Sequence, residues 1–222
     1  MMARLKSVLR RVRGLVLRES PEIRAWRLRA EQLSARAVFN AGHADAELDQ
    51  VTERQKRELY PRLRELLNGT ERLALDLGCG TGRFSGDLAA LISGRVIAVD
   101  PVQRLLDLAP AHRGVEYRRM KVGRIPAATG SIDLVWICLV LGGIRGAALD
   151  ATRREVARVL GANGLVFLVE NTAAAEGSAF WTFRTVEEYA TMIPGMTLDC
   201  FGHYDDLGER ISVFAGRKQL SG

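Results

Sequence analysis

Short apolar runs alternate with amphipathic stretches along the middle of the chain, between about residues 71 and 170. Apolar runs of strand length lie at 73–77, 95–99, 115–118, 132–137 and 165–169. The stretches at 83–91, 102–108 and 150–160 carry apolar residues at helical spacing. A strand–helix–strand pattern repeated at this pitch predicts right-handed crossovers and a parallel sheet, and therefore an α/β fold.

The flanking segments predict helices before this region and a hairpin after it. A helix should begin at Ser20-Pro21-Glu22, and another over 45–67 should kink at Pro61 and end at Asn68-Gly69. After residue 170, a helix near 185–192 precedes apolar runs at 196–203 and 211–216, which are close enough to pair. We expect a helical extension over 1–69 and a sheet domain over 70–222.

Composition narrows the class of protein. The 222 residues are 47% hydrophobic, enough for a sizeable core, and contain no apolar stretch of about 18 residues that would predict a transmembrane helix. Arginines interrupt the apolar residues near the N-terminus, so no secretory signal is predicted. The three cysteines, Cys79, Cys138 and Cys200, form no metal-ligand spacing, which suits a reducing cytoplasm.

The net charge of +6 is partly concentrated in residues 1–18, which contain six basic and no acidic side chains. Their apolar residues recur at helical spacing and predict an amphipathic helix. Such a helix could contact an anionic membrane or nucleic acid, or pack on its own domain or on a second subunit of a homodimer. We favour packing on its own domain or on a second subunit.

A glycine-rich loop carries the main chemical signal. It runs Asp76-Leu77-Gly78-Cys79-Gly80-Thr81-Gly82 and joins a predicted buried strand to a helix. Its glycines allow a sharp turn and the close approach of a ligand to the backbone. Asp100, followed by Pro101, stands at the tip of the next strand, where a carboxylate can accept both hydroxyls of a ribose. The arrangement predicts a site for an adenosine-type cofactor.

The spacing of the glycines distinguishes between cofactors. A nicotinamide site would need its third glycine at position 83, which is Arg83. The loop instead resembles motif I of the class I S-adenosylmethionine (SAM)-dependent methyltransferases. The resemblance covers roughly 71–170 and, more loosely, the tail. It implies a Rossmann-like seven-stranded sheet, mostly parallel with a reversed last strand, and S-adenosylhomocysteine (SAH) as the product.

The resemblance also implies a set of cofactor-binding residues, with the glycine loop facing the methionine part of SAM and Asp100 the ribose. The set consists of Asp76, Gly78, Cys79, Gly80, Thr81, Gly82, Asp100, Pro101, Lys121, Val122 and Cys138. Lys121 stands where many relatives carry an acid that binds adenine. Backbone groups and apolar packing must then hold the adenine, or the alignment of this segment with the family motif shifts locally. Residues 141–144 also lack the histidines that often follow the fourth strand.

Transfer to a neutral hydroxyl requires a base, and we consider three candidates. Glu170 ends the fifth predicted strand, His203 ends the sixth beside Tyr204, Asp205 and Asp206, and His43 lies between N-terminal helices, in a segment that in this family often closes over SAM. Each could instead be a solvated or structurally bonded group, and residues 204–206 could form a charged turn. A divalent metal is conceivable with these carboxylates, but their spacing is not diagnostic and no metal site is predicted.

The acceptor is predicted from motifs that are present or missing. Methyltransferases acting on base amino groups usually carry Asp/Asn-Pro-Pro-Tyr after the fourth strand, whereas 137–140 here read Ile-Cys-Leu-Val. Residues 180–189 loosely resemble small bacterial O-methyltransferases that act on sugars or secondary metabolites. We therefore predict O-methylation of a small polar acceptor, such as a saccharide, and no nucleic acid partner. The alternatives are a nucleic-acid methyltransferase and a non-catalytic binding protein, which Lys121 keeps open.

Overall fold

The computed structural model describes residues 20–173, 177–178 and 180–219. The amphipathic helix expected over 1–18 lies outside the described residues. In the described part of the chain, no helix is both long enough and apolar enough to cross a membrane.

A single sheet of seven strands organises the described chain, in the order β3-β2-β1-β4-β5-β7-β6. The strands from β1 to β5 pair in parallel, and β7 runs antiparallel to both β5 and β6. The predicted mostly parallel sheet with a reversed last strand is therefore confirmed. The strands are β1 Leu73–Leu77, β2 Arg95–Asp100, β3 Val115–Arg119, β4 Ile132–Cys138, β5 Leu160–Asn171, β6 Asp199–Asp206 and β7 Glu209–Arg217.

Six α-helices are described, together with 3₁₀ turns at Ser34–Val38, Asp45–Glu47 and Leu141–Gly143. The Ser20 hydroxyl caps the first helix by accepting a hydrogen bond from the Ile23 N–H. Pro61 does not end the second helix, which continues beyond it. The helices are α1 Pro21–Leu33, α2 Leu48–Leu66, α3 Ser85–Leu91, α4 Gln103–Leu106, α5 Gly146–Val159 and α6 Val186–Ala190.

The core occupies both faces of the sheet, because neighbouring residues of a strand point to opposite sides. On one face, Trp136 of β4 stacks on Phe167 of β5 with ring centroids 4.9 Å apart, in the same cluster as Leu59 of α2. On the other face, Val135 belongs to a cluster with Val156 of α5. Helices from the N-terminal segment and from the alternating region thus bury their apolar sides against one sheet.

One difference from the predicted elements that bears on the site concerns the tail. β6 was expected over 196–203 but spans Asp199–Asp206. Leu207 and Gly208 both have positive φ, 57° and 80°, as a tight two-residue hairpin requires. The turn therefore lies after Asp206, and the alternative of a charged turn over 204–206 is wrong. Strand pairing brings Asp206 opposite Glu209.

Candidate functional site

The glycine loop leaves β1 at the centre of the sheet, where the strand order reverses and a crevice opens between β1 and β4. Gly78 and Gly80 have φ values of 72° and 55°. A Cβ at Gly78 would lie 2.6 Å from Val140 Cγ2, and one at Gly80 would lie 2.7 Å from Val38 Cγ1. Only glycine fits these positions, because a side chain would be strained by the backbone and would collide with the wall.

Asp100 links the end of β2 to this loop. Its Oδ2 accepts a hydrogen bond from the Gly80 N–H at 3.1 Å, and its Oδ1 accepts one from the Val102 N–H at 2.8 Å. The residue is only 7% exposed, and burial raises the pKa of its carboxyl to about 6. The carboxylate retains acceptor capacity for a ligand hydroxyl, since each oxygen can accept more than one hydrogen bond.

A cavity, here called the inner cavity, opens over the glycine loop and Asp100. Apolar side chains of Met120 and Val122 line it on one side, and Ile23 and Trp26 of α1 line it on another. A bare backbone turn, a diol-binding carboxylate and an apolar wall are what the methionine, ribose and adenine parts of SAM require. The predicted residues that line it are Gly78, Cys79, Gly80, Asp100, Pro101, Val122 and Cys138.

The remaining predicted cofactor residues, Asp76, Thr81, Gly82 and Lys121, lie outside the lining of the inner cavity. Asp76 is buried beneath the loop, accepts a hydrogen bond from Ser85 Oγ at 2.6 Å, and has its pKa raised to about 7 by burial. Gly82 faces the side chain of Tyr117. Lys121 is exposed, so the wall near the expected adenine position comes from Met120 and Val122 on either side of it.

A second cavity, here called the outer cavity, adjoins the inner one. Its walls include Phe39, Phe180 and Trp181 as well as the polar side chains of Asn171 and Glu209. The two cavities have four wall residues in common, Trp26, Val38, Arg83 and Leu139, and this shared wall is here called the junction.

His43 lines the outer cavity and is paired with a carboxylate. Its Nε2 lies 3.0 Å from Asp206 Oδ1, and the ring is buried. Asp206 also accepts a hydrogen bond from Arg54 Nη2 at 2.8 Å. The Arg36 guanidinium donates to the backbone oxygens of Ala41 and His43, which holds the histidine loop in place. The arrangement directs Nε2 of His43 toward Asp206, while Nδ1 is not in contact with that carboxylate.

The other two candidates for the base are placed differently. His203 lies within β6, where its Nδ1 is 3.4 Å from Arg210 Nη2, and the side chain is exposed and lines neither cavity.

Glu170 is fully buried at the carboxyl end of β5, and its carboxylate accepts hydrogen bonds from the N–H groups of Val140, Leu141 and Gly142 and from the Tyr189 hydroxyl. Burial raises the pKa of its carboxyl to about 7. The residue holds the turn after β4 and lines neither cavity.

Several residues that shape the site were not predicted. Trp26 and Arg83 line both cavities, and Asp206 is the partner of His43. Arg83 carried a signal in the sequence, because it is a charged residue directly after a glycine loop and before Phe84. Trp26 carried none, and the sequence placed Asp206 beside His203 without indicating that it pairs with His43, since both roles depend on packing between distant segments. Within the described ranges, no group of three or more His, Cys, Asp or Glu side chains is placed to hold a metal ion.

Comparison with known proteins agrees with this geometry. Residues 74–164 match a family model described as a methyltransferase domain. Over 130 residues, covering 55% of this chain and 44% of the relative, the sequence is 33% identical to a malonyl-(acyl-carrier protein) O-methyltransferase of Legionella pneumophila. It is 32% identical over 136 residues to a thiol S-methyltransferase of Mus musculus, covering 57% of this chain and 54% of that one. The chain thus spans about half the length of these curated relatives.

A solved structure shows the same fold. A SAM-dependent methyltransferase from Aquifex aeolicus superposes with a TM-score of 0.59 at 14% sequence identity, covering 78% of this chain and 98% of that one. At this level of identity the match concerns the fold alone.

Proposed function

Since the chain belongs to the class I, Rossmann-like SAM-dependent methyltransferases, we propose that it binds SAM in the inner cavity and methylates a hydroxyl of a small polar acceptor in the outer cavity. The preferred acceptor class is a saccharide. The observation that carries the proposal is the junction of the two cavities at Trp26, Val38, Arg83 and Leu139.

Different residues of the inner cavity bind different parts of the cofactor in this proposal. The backbone at Gly78 and Gly80 receives the amino-acid end, Asp100 accepts the ribose hydroxyls, and Met120 and Val122 cover the adenine. SAM, when bound, supplies a methyl group on a sulfonium, so that the carbon–sulfur bond breaks as the new carbon–oxygen bond forms. The protein orients the acceptor and excludes water from the junction.

His43 is the group that accepts the proton in this proposal. With Nε2 protonated and donating to Asp206, Nδ1 carries the lone pair that can take the proton of the acceptor hydroxyl. The imidazolium so formed is stabilised by the Asp206 carboxylate, which Arg54 holds in place. His43 therefore has both the location and the partner that a general base requires.

The walls of the outer cavity support a polyhydroxylated acceptor. Phe39, Phe180 and Trp181 offer ring surfaces to the apolar faces of a sugar. Asn171 and Glu209 are joined by a hydrogen bond of 2.7 Å and offer amide and carboxylate groups to hydroxyls. The two relatives, by their names, act on oxygen of a malonyl group and on sulfur, so these are the acceptor classes to compare.

The proposal is tested in two steps. Calorimetric titration with SAM and SAH should show binding of both, and no heat with either would refute the cofactor assignment. Incubation with methyl-labelled SAM and panels of sugars, malonyl thioesters, thiols and RNA should place the label in a sugar, as an ether stable to mild base. Label in a methyl ester, in a thioether or in RNA would contradict the choice of acceptor.

A further inference from the structure

Arg83 is a partly buried cation whose described hydrogen-bond partners are neutral, while the buried Asp76 acts on it electrostatically without forming an ion pair. Its Nη1 donates hydrogen bonds to Thr52 Oγ1 at 3.1 Å and to Gln55 Oε1 at 2.9 Å. Its guanidinium carbon lies 4.4 Å from the ring centroid of Phe39 and 4.9 Å from that of Phe84. Burial lowers the pKa of the guanidinium, which is the direction expected for a charge removed from water.

The other charged side chains of the outer cavity are bonded elsewhere or lie away from the junction. Arg29 donates to the backbone oxygens of Ala37 and Phe39 and, unlike Arg83, lines the outer cavity alone. Asp206 is paired with His43 and Arg54. Glu209 accepts from Asn171 and Asn40. Across the part of the chain that the structure describes, no carboxylate is within 4.0 Å of the Arg83 guanidinium nitrogens.

Arg83 is also the charged residue at the junction of the two cavities. Of the side chains that contact its guanidinium, Gln55 and Phe39 line only the outer cavity and Phe84 lines only the inner one. The guanidinium therefore lies at the boundary between the two cavities, and its hydrogen bond to Gln55 directs it toward the outer one.

We propose that Arg83 binds an acid group of the acceptor, so that the substrate is a sugar acid or another polyhydroxy acid rather than a neutral sugar. A partly buried charge with no carboxylate in contact is costly, and an acid group bound beside it compensates part of that cost. The planar guanidinium can donate two parallel hydrogen bonds to a carboxylate. This inference rests on the proposed function, since it assumes that the acceptor occupies the outer cavity.

The test compares acids with their neutral counterparts on SAH-saturated protein. Glucuronate should bind at least tenfold more tightly than glucose, and galacturonate more tightly than galactose, by calorimetry. R83Q should lose this preference, R83K should retain part of it, and R64Q, which removes a charge outside both cavities, should keep it. Absence of a preference for the acid in both pairs on the unmodified protein would overturn the inference, and this measurement needs no variant to fold.

A second comparison separates the acceptor from the cofactor as the source of the acid group. The ratio of the affinities for SAM and decarboxylated SAM should be the same in R83Q as in the unmodified protein, whether or not the substitution weakens both. A ratio that falls tenfold in R83Q would mean that Arg83 binds the cofactor carboxylate, and the inference would be wrong. Failure of the proposed function is distinguishable, because the unmodified protein would then show no SAH binding at all.

Discussion

Asp100 connects two backbone segments and the expected ribose position, because its oxygens accept the N–H groups of Gly80 and Val102. We expect D100A to weaken SAH binding by about 1 to 3 kcal/mol, the scale of a hydrogen bond to a charged group. Calorimetry measures the affinity, and thermal unfolding shows whether the variant is folded. D107A, which removes an exposed carboxylate from the end of α4, is the matched control. Equal affinities of D100A and D107A would show that the ribose is held elsewhere.

The raised pKa of Asp100 should make cofactor binding depend on pH. The ionised carboxylate is the form that accepts ribose hydroxyls, and its pKa is about 6 in the free protein. SAH affinity should therefore be full at pH 8 and fall as the pH drops through 6, by about tenfold at pH 5, where roughly a tenth of the group is ionised. Calorimetry across this range tests the expectation. In D100N the affinity should be lower and independent of pH, and a similar fall in that variant would assign the effect to another group.

His43 is the residue on which the proposed proton transfer depends. H43Q should lower kcat by about a hundredfold to ten-thousandfold, the usual contribution of a general base, and leave SAH affinity unchanged. H203Q is the matched control, because His203 is exposed on β6 and lines neither cavity. Single-turnover rates with labelled SAM give the comparison. Similar losses in the two variants would contradict the role of His43.

At the scale of elements, the turn after β4 depends on Glu170. The sequence suggested a base at this position, whereas the structure shows a carboxylate that accepts three backbone N–H groups. Leu139 and Val140, at the start of this turn, line the inner cavity. The end of β5 therefore shapes the inner cavity through the backbone of the turn after β4.

E170Q should destabilise this turn. The amide of glutamine has one acceptor oxygen and a donor nitrogen, so at least one of the N–H groups of Val140, Leu141 and Gly142 loses its partner. We expect the free energy of unfolding to fall by about 1 to 3 kcal/mol at pH 8, measured in urea. E116Q, which removes an exposed carboxylate paired with Arg118, should change it little. No difference between the two variants would mean that the turn is held by other contacts.

At the scale of the whole molecule, buried carboxyls couple folding to pH. Burial raises the pKa of Asp76 and Glu170 to about 7 and that of Asp100 to about 6. Between about pH 4 and 7 the unfolded chain loses these protons while the folded protein keeps them, so stability falls as the pH rises through this window. The free energy of unfolding should thus be higher at pH 5 than at pH 8, and E170Q should reduce the difference. A free energy of unfolding that increases from pH 5 to pH 8 would contradict the raised pKa values of these buried carboxyls.

The organisation above single elements includes expectations that stay predictions. A domain boundary between residues 69 and 70 is one of them. Leu59 and Leu63, which precede that boundary, pack in the same core cluster as Trp136, which follows it. The cytoplasmic location and the homodimer are two others.

The sequence by itself determined the strand and helix pattern, the glycine loop and the acid at the end of β2. These depend on local properties, namely the spacing of apolar residues and the backbone freedom of Gly78 and Gly80. The tertiary structure alone decided that His43 meets Asp206, 163 positions away, and that Trp26 covers the junction of the cavities. Such contacts arise when distant segments pack on one sheet, and no local pattern specifies which of their side chains will meet.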